Sequence, residues 1–264
     1  MITLTEINIY PVKSMAGIAL QSSAVDAMGL QYDRRWMVVS PIGKFITQRS
    51  HPQMALIQPS LNNGQLTLSS FGLEDHIVPL ASPHSPRKSV QVWSDTVYAQ
   101  HLSAETDRWL AQTLGEPCHL VYIDAQEVRQ CDLNYAKQGD QTGFADGFPL
   151  LLISQASLED LNSKLAQPVS MQRFRPNLVL TGCDAFAEDT WQRLQINTLV
   201  FYVVKPCSRC IITTVNPRLG LVTSPEPLRT LARYRKRDNK IYFGQNIIHQ
   251  STGIVSLGEN ISIE

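Results

Sequence analysis

Apolar and polar residues alternate along most of the first hundred positions, a pattern typical of short, half-buried β-strands. The opening segment, ITLTEINIY, alternates in this way and is ended by Pro11, which cannot donate to a strand ladder. Asn63-Gly64 lies between two further apolar runs and is a favoured pair for a two-residue hairpin turn. This part of the chain therefore predicts short strands joined by tight turns.

A helical period replaces the alternation in two places. Ser103 is a suitable N-cap for the first helix, and Gly115 ends it. The second helix covers SQASLEDLNSKLAQ, with leucines at helical spacing, and Pro168 ends it. Strands are predicted again after it, including residues 198–206 and 211–217. The pattern predicts a mostly β protein with some α-helix, arranged as a two-lobed mixed β-barrel rather than a doubly wound sheet.

One segment, from His119 to Pro149, has aromatics and glycines but little periodicity. Irregular segments of this length inside a compact protein are usually functional or linking. We therefore expect a boundary between two lobes at its start, which divides the chain into residues 1–118 and 119–264.

Composition excludes several function classes. The 264 residues contain 23 Lys and Arg against 23 Asp and Glu, so no overall field favours nucleic acid or an anionic membrane. No basic and then apolar leader is visible, and no run approaches the ~18 apolar residues of a membrane span. Met1 lies almost on the first predicted strand. We therefore expect a cytoplasmic protein with no membrane anchor and no nucleic-acid partner.

The cysteine pair in CSRC, Cys207 and Cys210, is the main chemical signal. Five cysteines in all, an odd count without framework spacing, do not favour structural disulfides. Zinc would need further ligands, and there is neither a second C-x₂-C nor an H-x₃₋₅-H. A redox pair usually opens a helix, whereas residues 211–215 are β-branched and favour strand. A thiolate ligating a soft redox metal beside Arg209 and two thiols that only pack in a barrel both remain open.

Cationic residues also gather at the predicted strand ends. Loops at strand ends converge on the mouth of a barrel, and several cations at one place suggest a ligand that carries phosphate. The residues concerned are Lys13, Arg34, Arg35, Arg49, Arg173 and Arg175.

Four motifs occur together in this chain: YPVKS, DRRWMVV, FRPNLVLTGCDAFAEDTW and PCSRCIITTVNPRLG. Together they resemble the MOSC-domain proteins that carry an N-terminal MOSC-associated barrel, in particular the group of the mitochondrial amidoxime-reducing component and its bacterial relatives. The resemblance covers essentially the whole chain. It implies a MOSC-associated N-terminal β-barrel domain over residues 1–118 and a MOSC domain over residues 119–264.

The resemblance also implies a molybdenum cofactor, Mo-molybdopterin. The family's cysteine ligand of molybdenum matches Cys210, whereas Cys207 matches a position without that role. Asn246 stands where the animal relatives have tyrosine, and Gly147-Phe148 where they have hydroxyl residues. Asp146, in the irregular segment, is our candidate for proton relay. The expected cofactor-binding residues are Lys13, Ser14, Arg34, Arg175, Asn177, Arg209 and Asn246.

The implied activity is the reduction of small N-hydroxylated compounds, such as hydroxylamines, amidoximes and N-hydroxylated bases, to the N–H form with release of water. Some relatives carry a C-terminal ferredoxin-like domain with a C-x₄-C-x₂-C run, which is missing here. The resemblance thus implies a separate electron donor, ferredoxin-like or a flavin reductase. The alternatives are a cofactor carrier or sulfur-transfer module without reductase activity, and a cofactor-free scaffold.

Overall fold

The computed structural model describes residues 1–81 and 85–264, which form twenty-one strands, three α-helices and four short 3-10 helices. The strands are β1 (Ile2–Ile9), β2 (Ile18–Leu20), β3 (Ser22–Asp26), β4 (Gly29–Leu30), β5 (Trp36–Val39), β6 (Gln58–Asn62), β7 (Gln65–Ser69), β8 (His76–Ile77), β9 (Arg87–Val92), β10 (Asp95–His101), β11 (His119–Tyr122), β12 (Leu150–Ser154), β13 (Leu178–Thr181), β14 (Arg193–Ile196), β15 (Leu199–Ser208), β16 (Val215–Asn216), β17 (Leu221–Val222), β18 (Lys236–Arg237), β19 (Lys240–His249), β20 (Gly253–Ser256) and β21 (Asn260–Ile263). The α-helices are α1 (Ala104–Leu114), α2 (Gln155–Asn162) and α3 (Leu228–Tyr234), and the 3-10 helices cover Pro52–Leu56, Met171–Arg173, Ala187–Asp189 and Ile211–Thr214.

Seven strands close into a barrel in the order β12, β13, β1, β21, β14, β15, β19, and β19 pairs back onto β12. The β12–β13 pair is parallel, and the other pairs of the ring are antiparallel. Closure satisfies both edges of each strand in the ring. The interior is filled by buried aliphatic side chains, among them Leu4, Leu152, Leu178 and Ile247.

The second lobe is a half-barrel built on the antiparallel sheet β5-β11-β10-β9. Helix α1 packs on β11, and its buried Leu110 and Leu114 join a cluster with Val38 and Leu120. The predicted mostly β fold with some helix, a two-lobed mixed β-barrel, is confirmed.

Strands from both ends of the chain share sheets. β1 is one of the strands of the closed barrel and pairs with β13 and β21, and β3 pairs with β20. β11, which begins at His119, pairs with β5 and β10 in the half-barrel. The division of the chain at 118/119 stays a prediction, and main-chain pairing joins the N-terminal and C-terminal parts of the sequence.

Several helix ends and turns lie where local sequence motifs predict them. Ser103 caps α1 by accepting a hydrogen bond from the Thr106 backbone N–H, and Gly115 ends it in the left-handed region at φ 81°. Asn63 and Gly64 form the β6–β7 turn with φ of 47° and 79°. Helix α2 begins after Ser154 as expected but ends at Asn162, well before Pro168.

The strand predicted over residues 211–217 is wrong, because the chain turns through a 3-10 helix at Ile211–Thr214 and extends only at β16. The Thr213 hydroxyl donates to the Cys210 carbonyl at 3.0 Å, and Thr214 donates likewise to Ile211 at 2.6 Å. Arg173 donates to the carbonyls of Thr213 and Thr214 at 3.2 and 2.9 Å. These hydrogen bonds outweigh the strand preference of β-branched residues, which reflects packing more than backbone preference.

Candidate functional site

Cys210 lies where β15 has ended and the 3-10 helix has not yet begun. Its backbone is extended, with φ −120° and ψ −178°, and its thiol is half-buried. The Nη2 of Arg49 lies 3.4 Å from the Cys210 Sγ. Arg49 thus places a positive charge beside the sulfur, the atom through which cysteine binds soft metals.

Arg49 is held in turn by an aromatic face. Its guanidinium carbon lies 4.5 Å from the centre of the Trp93 ring, within the range of a cation–π contact. The Trp93 indole N–H donates to Asp146 Oδ1 at 3.1 Å. Sequence reasoning counted Arg49 only among the cations at strand ends, and nothing in the sequence pointed to Trp93.

Asp146 forms an ion pair with Lys13 at 2.6 Å, and the Lys13 ammonium also donates to the Phe144 carbonyl at 2.8 Å. Burial lowers the pKa of Lys13, and the charge of Asp146 opposes that shift. Burial alone would raise the pKa of Asp146, but Lys13, with the Trp93 hydrogen bond, holds that pKa well below its usual range. The Asp146 side chain is 68% exposed to solvent. Asp146 is therefore ionised at neutral pH.

Arg175 is a half-buried cation with an unused donor group. Its Nη1 donates to the Met15 carbonyl at 2.5 Å, and its guanidinium stacks over Tyr10 at 4.2 Å. Its Nη2 is buried and has no partner among the residues that the structure describes. Burial lowers the pKa of Arg175 to about 10. An unpaired buried donor on a cation is costly, and a bound anion would remove that cost.

Arg209, between the two cysteines, repeats this arrangement. Its Nε donates to the Phe243 carbonyl at 2.7 Å and its Nη1 to the Phe174 carbonyl at 3.0 Å. Its Nη2 is buried, again without a partner in the described part of the chain. Two guanidinium groups are thus fixed by main-chain carbonyls, and each has its Nη2 amino group left for an acceptor.

The side chains of Arg34 and Asn177 form hydrogen bonds mainly with other groups of the protein. Arg34 donates to Asp33 Oδ2 at 2.6 Å, to Asn177 Oδ1 at 2.9 Å and to the Arg175 carbonyl at 3.0 Å. Asn177 is almost fully buried, and its Oδ1 also accepts from the Leu151 N–H at 3.1 Å. Arg34 thus holds the Arg175 backbone, which adopts φ 56°.

Ser14 and Asn246 also line the site. Ser14 has φ 70°, and its carbonyl accepts from Gln48 Nε2 at 2.7 Å. Asn246, on β19, donates from Nδ2 to the Lys205 carbonyl at 3.1 Å. Cys207 faces the same space, and burial raises the pKa of its thiol.

All nine residues expected from the sequence line one pocket, together with Arg49, Arg173 and Cys207. The residues from the expected set are Lys13, Ser14, Arg34, Asp146, Arg175, Asn177, Arg209, Cys210 and Asn246. Six of the described side chains that line the pocket are cationic, against one carboxylate, Asp146. A soft sulfur ligand and a surplus of fixed cations fit a metal carried on a phosphorylated organic group.

Comparisons with known proteins agree with this geometry. The MOSC N-terminal beta barrel domain matches residues 1–117, and the MOSC domain matches residues 139–262. The human mitochondrial amidoxime-reducing component 1 is 34% identical over 98% of this chain and 82% of its own length. The Xenopus laevis protein of the same name is 32% identical over 98% of this chain and 81% of its own.

Among solved structures, that of the YUAD protein from Bacillus subtilis covers 99% of this chain and 94% of its own at 10% identity and a TM-score of 0.49, a likeness too weak to support an argument. Among the helices formed by residues 1–81 and 85–264, none has both the length and the apolar character needed to cross a membrane. The two matched domains and the extent of identity to these relatives lead to one conclusion: the chain belongs to the family of MOSC-domain proteins with an N-terminal MOSC barrel that includes the mitochondrial amidoxime-reducing components.

Proposed function

We propose that this protein binds a molybdenum cofactor through Cys210 and reduces small N-hydroxylated compounds. The observation that carries the proposal is the arrangement of one pocket. A half-buried thiol beside Arg49 shares it with two half-buried arginines, Arg175 and Arg209, whose buried Nη2 groups have no partner among the described residues. The family relationship supports the same reading, because the relatives are named as amidoxime-reducing components.

In this proposal the fixed cations hold the phosphate of the pterin. Arg175 and Arg209 supply the buried N–H donors, and Lys13 and Arg34 add positive charge nearby. Charge-assisted hydrogen bonds to phosphate are among the strongest in proteins, and arginine binds it with a rigid fork of donors. Cys210 is the molybdenum ligand. When bound, the cofactor supplies two-electron transfer of an oxygen atom, the chemistry that removes the oxygen of an N-hydroxyl group.

Substrate reaches the pocket from an outer cavity of about 610 Å³, which shares Arg49, Asp146 and Cys210 with the inner pocket and is also lined by Trp93 and Lys205. This size suits a small molecule. Within it, the Asp146 carboxylate is ionised and its partner Lys13 carries the proton. We propose that this pair, rather than Asp146 alone, passes a proton toward the departing oxygen.

A separate electron donor is part of the proposal, and a ferredoxin-like protein and a flavin reductase are the two classes to test. The cytoplasmic location expected from the sequence stays a prediction. The carrier or sulfur-transfer alternative shares the cofactor but predicts no turnover, so one experiment distinguishes the two functions.

The experiment is purification from a host competent in molybdopterin synthesis, followed by molybdenum and pterin analysis and an assay of benzamidoxime reduction with an artificial electron donor. Stoichiometric molybdenum with turnover is the expected result. Molybdenum without turnover identifies a carrier. A protein that contains neither metal nor pterin, although its host loads a related enzyme made in parallel, contradicts the proposal.

A further inference from the structure

Three metal-ligating side chains converge in the half-barrel, and none of them lines the pocket around Cys210. His101 is the last residue of β10, His119 is the first residue of β11, and Asp107 lies in the first turn of α1. The His101 Nε2 lies 2.7 Å from Asp107 Oδ2, and the His119 Nδ1 lies 2.6 Å from the same oxygen. One carboxylate oxygen therefore stands between two imidazole nitrogens.

The surrounding structure fixes the geometry of this His101–Asp107–His119 cluster. Strands β10 and β11 are antiparallel neighbours, so the two histidines lie side by side with ring centres 5.0 Å apart. The Leu120 backbone N–H donates to Asp107 Oδ1 at 3.2 Å, which orients the carboxylate and leaves Oδ2 toward the rings. Hydrogen bonds of this kind, made to the ligand rather than to the metal, position the ligands in known metal sites.

The side chains are 17%, 15% and 24% exposed for His101, Asp107 and His119. They are therefore sheltered, yet solvent still reaches them. An open zinc site has three protein ligands and one coordination position left for water, and this cluster offers three such ligands.

The distances are compatible with either hydrogen bonds or a metal. The three ligand atoms all lie within 4.8 Å of one another. Zinc binds imidazole nitrogen and carboxylate oxygen at about 2.0–2.2 Å, which sets tetrahedral ligand atoms roughly 3.3 Å apart. Shifts of under about 1 Å, within reach of side-chain rotation, convert the hydrogen-bonded arrangement into that geometry. Each ring needs only to carry its proton on the opposite nitrogen.

We propose that the His101–Asp107–His119 cluster binds one divalent transition metal of the class that prefers imidazole, with zinc as its representative. The metal would tie α1 to the β10–β11 pair, since its three ligands come from those three elements. The site is independent of the proposed function, because it shares no residue with the pocket around Cys210.

The test uses the full chain after removal of metal with a chelator. Cobalt(II) is the probe, followed by displacement with zinc. Cobalt bound by imidazole and carboxylate gives visible d–d absorption without the intense near-ultraviolet thiolate band that binding at Cys207 and Cys210 would give. The Cys207→Ser/Cys210→Ser double variant is titrated alongside, because those thiols are competing ligands. We expect one equivalent of cobalt to bind without the thiolate band, and to bind equally in the double variant.

Single ligand variants locate the site. His101→Gln, His119→Gln and Asp107→Asn should each weaken binding at least tenfold, whereas His51→Gln, which alters a histidine paired with Glu116 and Ser50, should not. Circular dichroism and thermal unfolding without metal check that each variant folds. Lack of saturable one-equivalent binding by the parent chain overturns the proposal, whatever the variants do. Equal affinity of the parent and folded ligand variants overturns it as well.

Discussion

Arg49 places its Nη2 3.4 Å from the sulfur of Cys210, although 161 positions separate the two residues in the chain. Through this contact the loop that contains Arg49, on the half-barrel side, packs against Cys210, which follows β15. Trp93 stacks on the guanidinium at 4.5 Å and keeps it in place. The environment of the proposed metal ligand is therefore built from segments that are far apart in the sequence.

The two cysteines of CSRC should differ in function. Cys210→Ala should abolish benzamidoxime reduction, because it removes the proposed metal ligand. Cys207→Ala should retain most of the activity, since Cys207 packs against the buried cluster around Phe243. Turnover with an artificial donor and molybdenum content measure both. Loss of turnover in Cys207→Ala alone would contradict the assignment.

Arg49 should contribute to turnover through its contact with the Cys210 sulfur. Arg49→Gln removes the cation beside Cys210, and hydrogen bonds to charged groups contribute about 1.5–3 kcal/mol. We expect kcat/KM for benzamidoxime to fall about tenfold or more. Arg233→Gln, which removes an exposed arginine in α3, is the matched control and should leave kcat/KM unchanged. If the two variants behave alike, the Arg49 contact has no role in turnover.

Substitution of Arg175 should weaken cofactor binding without destabilising the fold. Arg175→Met removes a half-buried cation whose buried Nη2 has no partner among the described residues and whose pKa burial lowers to about 10. We expect pterin and molybdenum content to fall about tenfold. The melting temperature of the cofactor-free protein should stay within about 5 °C of the parent, since the lost Met15 hydrogen bond is offset by relief of the unpaired charge. A cofactor-free variant that unfolds much earlier, with retained cofactor in the loaded form, would contradict this role.

The Lys13–Asp146 pair should make stability depend on pH. Lys13 holds the pKa of Asp146 below its ordinary value, so the pair stabilises the folded protein above about pH 4 and the contribution is lost as the pH falls further. Asp146→Asn removes this contribution. The difference in the free energy of unfolding between parent and variant should therefore be largest near pH 7 and shrink toward pH 3.

Urea unfolding at the two pH values measures that difference. Glu105→Gln, at an exposed position in the first turn of α1, serves as the control for loss of a carboxylate elsewhere. A parent-to-variant difference that grows as the pH falls would have the wrong sign for an ion pair with this pKa shift.

Much of the local structure follows from the sequence by itself. Ser103 and Gly115 bound a helix because a hydroxyl can accept an N-terminal N–H and glycine tolerates the left-handed backbone. Asn63-Gly64 sets the register of a hairpin because both residues accept positive φ. The expected cofactor residues came from motif resemblance, and the structure brings all of them to one pocket.

Tertiary structure decided the rest, because it depends on contacts that no local pattern contains. β1 joined the closed barrel with strands from the far end of the chain, since closure pairs edges irrespective of sequence distance. Residues 211–214 turned rather than extended, because hydrogen bonds from Arg173 and from two threonine hydroxyls outweigh β-branched preference. The contact of Arg49 with Cys210 and the unused donors of Arg175 and Arg209 likewise exist only once distant segments pack together, since burial and pairing are properties of the folded chain.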